Sequence, residues 1–234
     1  MAIWALADLH LSHDQPKPMD IFGEAWENHV EKIAANWRCV VGENDLVIVP
    51  GDISWAMELS GAQPDLDWIA ALPGQKLLVR GNHDYWWSSI SKVRAALPPR
   101  LAALQNDHYV FGDWAICGTR GWLCPGEEGF DEAHDEKIYR REIGRLQLSL
   151  DSARRAGRSR IIVALHYPPF NRQNSPSGFT RLLEDYAVSY CVFGHIHDGG
   201  RERIFQGERG GVTYRFVACD GVDFTPVRVV KDQG

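Results

Sequence analysis

At 234 residues, 44% hydrophobic and 24% charged, the chain has the make-up of a water-soluble globule and the length to bury about 70% of the surface it exposes when unfolded. Disordered, collagenous and membrane-spanning classes are excluded on those grounds. Its 25 Lys and Arg face 31 Asp and Glu, a formal charge of -6, so no overall positive field recruits nucleic acid or anionic lipid, and any phosphate group has to be held locally.

The length favours one large domain over residues 1–234. Five scattered cysteines, Cys39, Cys117, Cys124, Cys191 and Cys219, are odd in number and form no C-x-x-C pair, which fits reduced core thiols in a cytoplasmic protein. The first apolar run, Ala2 to Ala7, lacks a basic lead-in and is cut by Asp8 and His10. It reads as a strand, and neither a signal peptide nor a spanning helix is expected. From Asp20 to Val41, Phe22, Trp26, Val30, Ile33, Trp37 and Val41 recur every three or four residues, the apolar stripe of one helix.

Two short, continuously apolar strands come next, Leu46 to Val49 and Leu77 to Val79, ending at Gly51-Asp52 and at Gly81-Asn82-His83-Asp84. A strand-like stretch from Trp114 to Cys117 leads to Arg120, whose guanidinium suits a bidentate hold on phosphate. Tyr139, Ile143, Leu146, Leu150 and Ala153 mark a second helix. Acidic residues at its start and Arg154, Arg155 and Arg158 at its end match the helix dipole, and Gly157 supplies a stop. The arginine-rich stretch from Arg140 to Arg160 reads as a solvated face rather than a nucleic-acid patch. Ile161 to Leu165 ends at His166 and leads into a long loop with Pro168, Pro169, Arg172 and Pro176. Tyr190 to Phe193 ends at Gly194-His195-Ile196-His197. Arg203 to Val230 is expected to form antiparallel strands that finish a second sheet. Alternating strands and helices predict an α/β fold.

The residues just past the strands carry the chemistry. In an open α/β sheet the carboxyl ends of the strands meet at one crevice, so five strand ends should bring together Asp8, His10, Asp52, Asn82, His166, His195 and His197, with His83 and Asp84 beside them. Carboxylate and imidazole donors without thiolate suit manganese, iron or zinc. The donors outnumber the needs of one ion, so two are implied, with one carboxylate bridging them at about 3.5–4 Å. His13, His29, His108 and His134 fall off this pattern and read as ordinary core or surface residues.

The ordered set Asp8-Leu9-His10, Gly51-Asp52, Gly81-Asn82-His83-Asp84, His166 and Gly194-His195-Ile196-His197 resembles the calcineurin-like metallophosphoesterase superfamily, in its small stand-alone bacterial branch. The resemblance implies a two-sheet β-sandwich flanked by helices, in four layers α/β/β/α. It implies one divalent or mixed-valence metal ion on Asp8, His10, Asp52 and His197, and a second on Asp52, Asn82, His166 and His195, with Asp52 as the bridge. It further implies that a metal-bound hydroxide hydrolyses a phosphomonoester or phosphodiester. His83 then faces the substrate and assists the leaving group, and Asp84 orients its ring. Gly51-Asp52-Ile53-Ser54-Trp55 lacks the G-D-x-x-D-R-G continuation of protein Ser/Thr phosphatases, which counts against a phosphoprotein substrate.

The partner expected is a small phosphorylated compound, with nucleotides among the candidates and neither nucleic acid nor membrane. Trp55, Tyr85, Trp86 and Trp87 lie beside the motifs and read mainly as core residues, whereas an exposed Trp55 or Trp86 would favour base stacking. Arg120 to His134 and Pro169 to Thr180 are candidate lid loops. A catalytically silent scaffold of the same fold would show gaps in the donor set, and none is present. A zinc-dependent amide or lactam hydrolase would carry an H-x-H-x-D-H block, which the chain lacks.

Overall fold

The computed structural model describes residues 1–197 and 204–230. In chain order the strands are β1 (Ile3–Ala5), β2 (Leu46–Pro50), β3 (Gln75–Val79), β4 (Leu101–Ala103), β5 (Tyr109–Phe111), β6 (Trp114–Thr119), β7 (Arg160–Leu165), β8 (Tyr190–Phe193), β9 (Gly207–Arg209), β10 (Val212–Phe216) and β11 (Val227–Arg228). The helices are α1 (His29–Val40), α2 (Leu59–Ala70), α3 (Ile90–Ala96), α4 (Glu132–Arg155) and α5 (Gly178–Asp185).

One sheet has the order β11-β1-β2-β3-β4 and the other β5-β6-β7-β8-β10-β9. β1 to β4 are parallel, with β11 antiparallel on the edge. In the second sheet β6, β7, β8 and β10 are parallel, and β5 and β9 are antiparallel edges. Successive strand residues point to opposite faces, which sorts the apolar residues into three cores. Val47 and Val49 pack with Ile33 and Trp37 of α1 and Leu66 and Ile69 of α2. Leu46 and Ile48 face Ile116, Ile162 and Val192 of the second sheet. Ile161, Val163 and Leu165 turn outward onto Leu146 and Leu150 of α4 and Leu183 of α5. The result is two mixed sheets flanked by helices, as expected, with strands buried on both faces and each fully buried aliphatic side chain contributing about 1.5–3 kcal/mol.

Two local expectations are corrected, and one helix is added to them. The helix expected from Asp20 begins only at His29: Gly23 has φ 126° and Asn28 is left-handed at φ 52°, which leaves two 3-10 turns ahead of α1. The terminal segment, whose first residue Arg203 lies outside the described residues, divides between the sheets. β9 and β10 form a hairpin in the second, β10 runs parallel to β8, and β11 crosses to β1. α2 adds a helix that the apolar periodicity does not announce, because Pro64 lies inside it. Among the described residues no helix is long and apolar enough to cross a membrane.

A parallel bridge between Ala7 and Ala218 joins the two sheets at their carboxyl ends, with the Ala7 N–H donating to the Val217 carbonyl at 2.8 Å and the Cys219 N–H to the Ala7 carbonyl at 3.0 Å. Strands of both sheets therefore end at one rim.

Candidate metal centre

The loops at that rim are tightly formed. Asp8, His10, Asp52 and His195 all have left-handed backbones, with φ of 60°, 46°, 50° and 76°. Such conformations are uncommon for non-glycine residues and cost of order 1 kcal/mol each. Cross-links between the loops hold them there: Asp8 N–H to the Gly51 carbonyl and His10 N–H to the Asp52 carbonyl, both at 3.0 Å. Two glycines allow this closeness. A Cβ on Gly81 would fall on the Asp52 amide and carboxylate, and one on Gly194 would fall on the Asp8 carboxylate and 2.6 Å from the Ala7 Cβ.

All seven predicted donors come together at the rim. Asp8, His10 and His197 form one group with mutually close donor atoms, and Asp52, His166 and His195 form another. Asn82 joins the second, its Oδ1 lying 2.6 Å from His166 Nε2. Asp52 stands between the groups: Oδ2 is 3.9 Å from His10 Nε2, and Oδ1 is 3.5 Å from His166 Nε2. Asp8 Oδ1 is 3.9 Å from His197 Nε2, and the Asp8 carboxylate accepts the His195 N–H at 3.0 Å.

The proton arrangement fits a cation. His166 Nδ1 lies 3.1 Å from the Pro50 carbonyl, an acceptor only, so Nδ1 carries the proton. Nε2 is then a bare lone pair facing Asn82 Oδ1, Asp52 Oδ1 and, at 3.2 Å, His195 Nδ1. Lone pairs converging in a buried space are stabilised by a positive ion. Burial holds the carboxyl groups of Asp8 and Asp52 above their usual range. Burial, with help from neighbouring imidazoles, lowers His10 and His195 well below theirs and His166 to about 3. Neutral imidazole is the form that binds metals. His197 departs from this: burial pulls it down, but the Asp220 hydrogen bond and the Asp8, Asp220 and Asp52 charges prevail and raise it to about 9.

Asp220 is the residue that motif reading misses. It comes after β10 as the donors come after their strands, and its Oδ1 accepts from His197 Nδ1 at 2.9 Å. This fixes the ring with Nε2 toward Asp8, an outer carboxylate orienting a candidate ligand. The strand-then-acid pattern is present at Phe216 to Asp220 but has the composition of a turn.

Asp84 does not orient His83, which corrects that expectation. Its carboxylate accepts from the amides of Ile53 (2.9 Å), Ser54 (3.1 Å) and Gly81 (2.7 Å) and from Trp86 Nε1 (2.9 Å). Burial and the nearby Asp52 charge raise it to about 7. Asp84 pins the Asp52 loop to the Gly81 loop. The His83 amide donates to Asp52 Oδ1 at 2.9 Å. Its ring leaves both donor groups, lying against Trp55 (centroids 4.5 Å apart) and near His10 (5.9 Å), and Nδ1 has no partner among the described residues.

Arg120 is placed beside the centre, outside both groups, with Nη2 3.8 Å from Glu142 and its guanidinium 4.5 Å from the Trp122 ring. Arg172 is paired with Glu127 and Glu128, which ties the two candidate lid loops together. Trp86 and Trp87 are buried core residues. Trp55 is half-buried, stacked on His10 with Lys17 Nζ 4.4 Å over its ring. His13 binds Asp65 at 2.6 Å and His108 binds Ser152 at 2.8 Å, and neither joins the centre. All five cysteines are free, four of them buried and Cys39 exposed.

Comparison with known proteins gives a family match and a fold match. Residues 1–199 match the model of the calcineurin-like phosphoesterases. Gene 66 protein of Mycobacterium phage L5 is 37% identical over 81 residues, 35% of this chain and 39% of that protein. Gene 66 protein of Mycobacterium phage D29 is 35% identical over 85 residues, 35% of this chain and 40% of that protein. The chain thus spans about two fifths of the length of these curated relatives. Among solved structures, the phosphopantetheinyl hydrolase of Mycobacterium tuberculosis aligns with TM-score 0.58 at 13% identity, covering 99% of this chain and 96% of that one. A protein of unknown function from Aquifex aeolicus aligns with TM-score 0.51 at 13% identity, covering 97% and 94%. At these identities the structures show a shared fold.

Proposed function

The chain belongs to the calcineurin-like phosphoesterase family, and on that footing we propose that it is a dinuclear metal phosphoesterase acting on a small phosphorylated compound. One ion would be held by Asp8, His10, Asp52 and His197, the other by Asp52, Asn82, His166 and His195. Manganese, iron and zinc suit these donors. The observation that carries this reading is the position of Asp52, whose two carboxylate oxygens turn to His10 on one side and His166 on the other.

When bound, such ions lower the pKa of water and neutralise charge on a phosphoryl group. The chain's own residues do the rest. The His83 amide fixes the Asp52 carboxylate, Pro50 fixes the tautomer of His166, and Asp220 fixes the ring of His197. The His83 ring, whose Nδ1 has no hydrogen-bond partner among the described residues, would hydrogen-bond a phosphoryl oxygen or protonate the leaving oxygen. We keep the cytoplasm as its place, a reading the five free thiols support.

The test is a panel of aryl phosphate mono- and diesters, nucleotides and a phosphopantetheine ester, the last suggested by the fold neighbour. Turnover should be lost on chelation and return with manganese. Turnover that survives both chelation and Asp52→Asn would overturn the proposal.

A further inference from the structure

A cavity of about 190 Å³ opens beside the metal centre, between the carboxyl ends of β3 and β6. At ~30 Å³ per water it has room for about six waters, enough for a phosphate group. Among the described residues, Arg80, Arg120, Arg141 and Arg145 line it against a single carboxylate, Glu142, an excess of three positive charges in a chain whose net charge is -6. Glu142 is fully buried and cannot balance them. Its Oε2 is taken by Thr119 Oγ1 at 2.6 Å. Its Oε1 is approached by three guanidinium groups, from Arg145 at 2.8 Å, Arg141 at 3.4 Å and Arg120 at 3.8 Å. Arg80 Nε and Arg120 Nε are buried with no hydrogen-bond partner among the described residues. Buried donors left unmatched are destabilising, and converging guanidinium forks match an anion with several acceptor oxygens.

The cavity shares a wall with the centre. Arg80 is two residues from Asn82, at most about 7 Å along the chain, and the Arg120 carbonyl accepts the amides of His166 at 3.1 Å and Tyr167 at 3.0 Å.

We propose that this cavity is a second anion site, taking a phosphoryl dianion separate from the ester phosphate that would sit over Asp52. The occupant is either a second phosphate of the substrate, which rests on the phosphoesterase reading, or free phosphate, which does not.

Calorimetric titration of inorganic phosphate into the chelator-treated chain at low ionic strength tests the site directly. Wild type should bind, and Arg145→Gln and the half-exposed Arg141→Gln should each weaken binding about tenfold. Arg140→Gln, which removes the same charge from the 76% exposed outer side of α4, should match wild type. No binding by wild type, or equal binding by all four proteins, overturns the proposal. In the metal-loaded enzyme, a rise of about tenfold in the KM of a bisphosphorylated ester relative to a simple monoester in Arg145→Gln assigns the site to the substrate. An unchanged ratio with weakened phosphate binding assigns it to free phosphate. If no ester is turned over, the phosphate titration still decides whether the site exists.

Discussion

Replacing Gly194 with Ala probes whether the proposed metal centre depends on close packing of its loops. The added Cβ would fall on the Asp8 carboxylate and only 2.6 Å from the Ala7 Cβ, whereas carbon atoms in contact lie about 3.5–4.0 Å apart. Relief requires a displacement of about 1 Å in a carboxylate that also accepts the His195 amide at 3.0 Å. Overpacking of this kind destabilises by about 1–3 kcal/mol, which leaves a domain of ordinary stability folded. A misplacement of about 1 Å at a reacting centre removes on the order of 100-fold in rate, and a similar loss in metal affinity is expected here. The assay is calorimetric titration of manganese into chelator-treated protein, paired with urea unfolding. Gly144→Ala is the control: it lies in α4 with open space where its Cβ would go, and it should stabilise by about 1 kcal/mol with manganese binding unchanged. A Gly194→Ala chain that binds manganese as wild type does would refute the argument.

Three further outcomes are expected. His83→Ala should keep both manganese ions and lose about 100- to 10,000-fold in kcat, and an undiminished kcat would remove His83 from the reaction. In the metal-free chain, NMR titration should place His197 near 9 in wild type and clearly lower in Asp220→Asn. Because its folded pKa is raised, its stabilising effect is full below about 6.5 and fades as pH rises through about 9, so the stability gap between the two proteins should close over that window. Lys76 is 1% exposed, donates to the Ala70 carbonyl at 3.1 Å and is lowered by burial from 10.5 to about 8. Between about 8 and 10.5 the unfolded chain holds more protons, so this residue makes stability rise with pH by up to about 3 kcal/mol. Lys76→Met should remove that rise, and urea midpoints that change with pH in parallel in both proteins would rule it out.

The donors are legible in the sequence because each comes just after an apolar strand, and parallel strands deliver their ends to one rim. Asp8 and His197 therefore meet across nearly the whole chain. Asp220 obeys the same rule at the end of β10, yet Cys219 to Asp223 looks like any polar turn until His197 is seen opposite. The role of Asp84 is hidden because adjacency to His83 in sequence suggests adjacency of side chains, whereas its carboxylate turns back to the amides of Ile53, Ser54 and Gly81. α2 and β11 are illegible for different reasons. Pro64 breaks the helical signature of α2 while its apolar face still packs, and two-residue β11 is defined only by its pairing with β1. The arginine cavity is assembled from residues at the ends of β3 and β6 and on α4, so its charge excess shows only in three dimensions.

Electron paramagnetic resonance of the chain loaded with two equivalents of manganese tests the central claim most directly. With Asp52 as a shared ligand, the two ions should give an exchange-coupled spectrum that Asp52→Asn abolishes. Isolated-ion signals from the wild-type chain, or manganese left free in solution, would contradict the account.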